Sequence, residues 1–163
     1  MVRVGEETPE FDVVASDGRR YSSRDLRGRK NLVLYFYPKD FTLVCTAESC
    51  GFRDMYDEVQ RSDTEILGVS LDSDESHRRF AQTYELRFGL VSDRDQSLTR
   101  RFGAISTARG LLGLAKRLTF VIDKRSIVAG VFEGDLSPRP HLQGVASLLA
   151  RLAGSAPVAT QNA

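Results

Sequence analysis

The sequence predicts an α/β fold built on a mixed sheet, and three observations carry that prediction. The run Leu32 to Tyr37 is continuously apolar and aromatic, as a strand covered on both faces of a parallel sheet should be. Beyond it Phe52, Met55, Tyr56 and Val59 recur at helical spacing before a second apolar run, Ile66 to Leu71. Together these make a βαβ unit, whose crossover is expected to be right-handed. Leu118 to Ile122 and Ile127 to Phe132 flank Asp123-Lys124-Arg125-Ser126, an antiparallel hairpin, and a further helix follows. The second half therefore reads ββα.

Taken in order, Phe11 to Ala15 reads as a short strand, and Asp17-Gly18 is a hairpin turn leading to Arg20 and Tyr21. Ser22 or Ser23 can cap a short helical turn through Leu26, closed by Gly28. Pro38 cannot extend a ladder, so the central strand stops there. The amphipathic helix after it is expected from about Val44 to Gln60. Asp72 to Asp74 precede a helix through about Tyr84, Gly89 to Val91 is a brief strand, and Asp95 to Phe102 is a short helix closed by Gly103. Pro140 opens the last helix, running to about Leu152. Ile105 to Leu114 sets three leucines around two glycines, which weaken a helix. It is expected to be a loop folded on the protein, or else an exposed apolar patch for a partner, a dimer contact or bulky substrates.

The chain has two cysteines. Cys45 falls in the first turn of the helix after the central strand, where free N–H groups and the positive end of the helix dipole favour a thiolate over a thiol. It is a nucleophile candidate; the alternative is a buried cysteine acting as a small hydrophobe. Cys50 lies five positions along the same helix, which puts the two Cα atoms roughly 8 to 9 Å apart on different faces. A disulfide wants about 4.4 to 6.8 Å. The pair can close only if the first turns unwind, which suits a transient redox couple better than a structural staple.

Pro38, Thr42 and Cys45 match Pro-x-x-x-Thr-x-x-Cys, and in this the chain resembles the peroxiredoxins. A cysteine five residues beyond resembles the Q-type subfamily, also called bacterioferritin comigratory protein. The resemblance extends over VGEETPEFDVVASDGRRYSSRDLRG, LVSDRDQSLTRRFG and RLTFVID, most of the chain. It departs from the Q-type pattern at Leu43-Val44, where such members usually carry Pro-Gly. The fold implied is thioredoxin-like, with the N-terminal β-hairpin and extra helices as peroxiredoxin-type insertions.

The resemblance implies a thiol peroxidase. The Cys45 thiolate would attack a hydroperoxide oxygen, giving a sulfenic acid and releasing water or an alcohol. Thr42 matches the family's threonine, and Arg117, before LTFVID, is carried over as its arginine; both would stabilise the thiolate and the breaking O–O bond. Pro38 would shield the cysteine, and Glu48 would orient the arginine. Each has a plainer reading: Thr42 as a helix cap, Pro38 as a strand terminator, Arg117 as a surface charge beside Lys116, Glu48 as an acid near a helix N-terminus. For Cys50 the resemblance implies attack on the sulfenic acid to form an intramolecular disulfide, which thioredoxin or a glutaredoxin would reduce. Alternatives are a one-cysteine cycle with an external thiol, and a redox sensor or holdase using the same disulfide. Ile105 to Leu114 is read as lining the substrate mouth.

Composition excludes several other classes. With 23 Lys+Arg against 22 Asp+Glu the formal charge is +1, and the signs are mixed, so there is no footprint for nucleic acid or acidic lipid. Arg24, Arg27, Arg29 and Lys30 are read as a solvated loop face. The start shows no signal-peptide pattern and no run reaches membrane-span length, so a soluble, cytoplasmic protein is expected, as a monomer. Zinc would need two more soft or imidazole ligands, and His77 and His141 are read as surface histidines, so neither metal nor cofactor is expected. A dithiol oxidoreductase would want Cys-x-x-Cys, which the five-residue spacing is not. The 163 residues suit one domain, 1–153, with the small, polar segment 154–163 expected to be disordered.

Overall fold

A computed structural model describes residues 1–154. Its centre is β3 (Asn31–Phe36), buried at every position as the apolar run requires. On one side β3 pairs in parallel with β4 (Thr64–Ser70), which pairs in parallel with β5 (Gly89–Ser92). On the other it pairs antiparallel with β6 (Leu118–Ile122), and β6 with β7 (Val128–Glu133). The sheet order is thus β5-β4-β3-β6-β7, the mixed βαβ plus ββα arrangement of a thioredoxin-like fold.

Alternation along β3 divides the core in two. Leu32, Leu34 and Phe36 face the N-terminal hairpin, β1 (Asp12–Val14) with β2 (Arg20–Ser22), and α5 (Ser97–Phe102), through Phe11, Tyr21, Leu98 and Phe102. Val33, Tyr35 and Tyr37 face α2 (Leu43–Asp54), α3 (Tyr56–Arg61), α4 (Asp74–Tyr84) and α7 (Arg139–Gly154), through Cys45, Phe52, Tyr56, Phe80, Val145 and Leu149. The hairpin turns at Gly18, whose φ of +87° only glycine adopts freely. Gly103 closes α5 at φ +71°.

Three expectations are corrected. The single helix from Val44 to Gln60 is two, because Met55 leaves the helical region at φ −95°, ψ 2°. The break lets Phe52 pack on Tyr35 while Tyr56 turns to β4, its hydroxyl donating to Glu65 Oε1 at 3.1 Å. Ser22 stands at the N-cap of α1 (Ser23–Leu26) without a capping hydrogen bond. Ser23 is spent elsewhere, its Oγ accepting from Phe11 N at 3.0 Å and so tying the hairpin down. His77 and His141 are fully buried rather than on the surface. Both sit on the apolar face of their helix, His77 three residues before Phe80 and His141 four before Val145.

Arg24, Arg27, Arg29 and Lys30 are exposed, as a solvated face should be. Ile105 to Leu114 holds only one short helix, α6 (Thr107–Leu111), with no buried residue; Ile105 and Leu114 are half-buried while Leu111 and Leu112 are 85% and 73% exposed, so the segment folds onto the protein at its ends and exposes two leucines. No helix among the described residues is long and apolar enough to cross a membrane. The expected disorder of the tail falls on residues 155–163, outside the described residues; Gly154 itself ends α7.

Candidate active site

The site lies where β3 hands the chain to α2. Pro38, half-buried, ends the strand; Phe41 then takes a left-handed φ of 64°, and Thr42 returns to extended backbone as the N-cap residue of α2. Thr46 N donates to Thr42 O at 2.9 Å, so the helix is wound from its first turn. The Thr42 hydroxyl donates to Lys39 O at 2.8 Å and caps no helical N–H. Thr42 itself is exposed. Cys45, third residue of α2, is wholly buried, with its thiol free.

Sheet topology supplies the cation. Because β6 runs antiparallel to β3 with Leu118 opposite Phe36, Arg117 stands beside Tyr37, at the sheet end from which α2 departs. Its Nη2 donates to Cys45 Sγ at 3.1 Å and its Nη1 to Glu48 Oε1 at 3.3 Å. The guanidinium is 4% exposed and the Glu48 carboxyl not at all. Arg117 is therefore no surface charge. Cys45, Glu48 and Arg117 form one contact chain, with Pro38 and Thr42 on the loop that leads into it.

Burial pushes the Glu48 carboxyl up to about 7, with the Arg117 charge and hydrogen bond opposing the rise. Glu48 Oε2 is buried without a hydrogen bond, and the imidazole of His141 lies 3.7 Å from it. That ring is engaged elsewhere, Nδ1 with Thr119 Oγ1 at 2.9 Å and Nε2 with Gly134 O at 3.0 Å. Burial lowers the His141 pKa, so both neighbours lean toward their neutral forms.

Cys50 is half-buried and free, and burial raises its thiol pKa. Beside it Ser49 Oγ meets Tyr35 OH at 2.9 Å in the core, and Gly51 is pressed so closely on Leu142 of α7 that a Cβ there would overlap the leucine methyls. The second half of α2 is thus gripped while the first carries Leu43, 88% exposed. His141, Tyr35 and Ser49 were not among the residues predicted for this site. The helical spacing of His141, Val145 and Leu149 was the available signal that this histidine faces inward.

A cysteine in the first turn of a helix that follows a central strand, set against a buried guanidinium on a thioredoxin-like sheet, defines a thiol-based redox protein. Residues 4–131 match the AhpC/TSA family, and the chain belongs to that family. It is similar to the chloroplastic peroxiredoxin Q of Sedum lineare, at 36% identity over 151 residues, 93% of this chain and 80% of the relative. The crystal structure of peroxidoxin BcpB from Mycobacterium tuberculosis superposes with a TM-score of 0.83 at 29% identity, over 93% of this chain and 98% of that one. The bacterioferritin comigratory protein of Xanthomonas campestris, solved in work on its alkyl peroxide reduction activity, gives 0.78 at 31%, over 88% of this chain and 92% of that one. The Q-type resemblance and the thioredoxin-like fold expected from the sequence both hold.

Proposed function

We propose that the protein is a peroxidase that reduces hydrogen peroxide and organic hydroperoxides through Cys45. The single observation that carries this reading is the 3.1 Å contact between Arg117 Nη2 and Cys45 Sγ in the first turn of α2. A donor charge against the sulfur, inside a buried site, is a partner for the anionic nucleophile. The thiolate attacks one peroxide oxygen, the O–O bond breaks, and the departing oxygen takes a proton to leave as water or alcohol. Cys45 is left as sulfenic acid. The amides of the first turn are the remaining donors near the reacting oxygens, the Thr42 hydroxyl joins them by turning away from Lys39 O, Pro38 shields the thiol, and Glu48 holds the guanidinium in place.

Cys50 then attacks the sulfenic sulfur, forming the Cys45–Cys50 disulfide and releasing water. Helix α2 must open for this, since an intact helix holds residues five apart beyond disulfide reach. A dithiol protein, thioredoxin or glutaredoxin, attacks that disulfide and restores both thiols; the enzyme works as a cytoplasmic monomer. Alkyl peroxide reduction by the Xanthomonas campestris relative supports the wider substrate range.

Intact-mass analysis after one equivalent of hydrogen peroxide tests the scheme. The parent should lose two hydrogens, Cys50→Ser should give a trappable sulfenic acid, and Cys45→Ser should not react rapidly. A parent that is oxidised once but does not turn over with any dithiol reductant would be a redox sensor instead.

A further inference from the structure

Between Pro38 and Thr42 the loop carries Asp40, a buried acid to which no role has been given so far. Its side chain is saturated with donors: Tyr37 OH to Oδ1 at 2.7 Å, Ser76 Oγ to Oδ2 at 2.8 Å, and His77 Nδ1 against Oδ2 at 2.7 Å. Its backbone N–H donates to Asp72 Oδ2 at 2.9 Å. The far nitrogen of His77, Nε2, lies 3.1 Å from Val91 O in β5. Asp40 and His77 are both fully buried in their side chains. The loop is thereby pinned at one residue to β3, α4, the β4–α4 turn and, through the imidazole, β5.

Asp40, Asp72 and His77 bring ligand-type atoms within 4.8 Å of one another. The carboxylate oxygens facing the group already take protein hydrogens, Asp72 Oδ2 from Ser70 Oγ at 2.6 Å as well as from Asp40 N. The grouping reads as a closed hydrogen-bond network rather than a cation site.

What the network holds is strained. Phe41, next in sequence, is a non-glycine residue at φ 64°, a backbone conformation that persists only where its surroundings impose it. Its ring stacks edge-on to Phe80, centroids 5.1 Å apart, and lies 6.2 Å from Tyr84, so α4 grips both residues that precede Thr42. Release of Asp40 would let Phe41 relax to negative φ and re-aim Thr42 and the first turn of α2.

We propose that Asp40 and His77 are positioning residues for the peroxidatic centre, a clamp on α4 that holds the strained 40–42 turn and so aims Thr42 and the first-turn amides at the substrate oxygens. The catalytic half of this inference rests on the peroxidase reading; the clamp itself does not.

Two readouts on the reduced full-length protein separate these claims. Amide hydrogen exchange over residues 39–46 reports the clamp, and stopped-flow oxidation of Cys45 by hydrogen peroxide reports its effect. His77→Ala should raise exchange in this segment and slow Cys45 oxidation about tenfold or more, since a misaimed group far from the chemistry has effects of that size. His77→Gln, which keeps an N–H for Asp40, should recover part of the rate. Asp40→Asn, close in shape but opposing donor to donor, should repeat the loss should His77→Ala not fold. Val59→Ala, a cavity in the same core cluster, controls for general destabilisation and should leave the rate within about twofold. Unchanged exchange in His77→Ala and Asp40→Asn, or an equal loss of rate in Val59→Ala, overturns the clamp. A parent without rapid oxidation overturns the peroxidase reading while the exchange data still decide the clamp.

Discussion

At the scale of single residues, the burial of Glu48 carries a cost that a pH series reads. Its carboxyl rises from 4.5 to about 7 on folding, so the folded chain binds a proton that the unfolded chain releases across that interval. The stabilisation linked to that proton is fully present below about 4.5 and is lost as pH rises through about 7. At ~1.36 kcal/mol per pH unit the loss amounts to about 3 kcal/mol. Glu48→Gln, which cannot ionise, should therefore gain about 3 kcal/mol relative to the parent between pH 4.5 and pH 8 in paired urea titrations. A constant difference across that range would remove the linkage. Arg117 works in the opposite direction, its charge drawing Glu48 down, so Arg117→Met should push the carboxyl further up. The same substitution should slow Cys45 oxidation by about 10²-fold, the usual cost of one preorganised donor.

At the scale of elements, β3 was legible because burial on both faces writes one continuous apolar run, and α5 because Gly103 terminates it in a conformation other residues avoid. The break between α2 and α3 was not. Phe52, Met55, Tyr56 and Val59 keep helical spacing straight through it, and only the separate demands of Tyr35 and Glu65 divide them. The two histidines were misread for a related reason: a polar helical stretch hid the face His77 shares with Phe80, and a place at the start of the last helix hid the one His141 shares with Val145. Cys45 was legible from its place in the first helical turn, whereas Thr42 and Pro38 entered the candidate site through the family signature, as did the Arg117–Cys45 contact, which spans 72 residues.

Two predictions belong at this scale. Gly51→Ala gains helix propensity of about 1 kcal/mol but forces a methyl into Leu142. It should destabilise the parent by about 1 kcal/mol and stabilise the Leu142→Ala background, a change of sign that a double-mutant cycle reads directly. Leu111 and Leu112, at the end of α6, sit on a segment tied to the β7–α7 loop by Arg109 and Asp135 at 2.8 Å, and to Ala115 O by Arg109 Nη1 at 3.3 Å. We propose that this segment lines the substrate mouth: Leu111→Ser should then slow oxidation by a long-chain hydroperoxide several-fold and leave hydrogen peroxide unaffected, and equal rates for both in parent and variant count against it.

At the scale of the whole molecule, the sheet separates two core clusters, and only one of them contains Cys45. The face away from Cys45 holds an aromatic trio, Phe36, Phe102 and Phe120, with ring centroids 5.2 to 5.8 Å apart. Truncating one fully buried ring there costs about 3 to 5 kcal/mol. Phe102→Ala should accordingly shift the urea midpoint strongly while the folded fraction keeps its Cys45 oxidation rate within a few-fold. The antiparallel entry of β6 beside β3 also bears on how the protein is made. A ribosome delivers Cys45 long before Arg117, and the sulfur meets its guanidinium only after β6 has closed onto β3. Until then the nascent cysteine lacks its neighbouring cation, so the Cys45–Arg117 pair exists only once the C-terminal half of the sheet has folded.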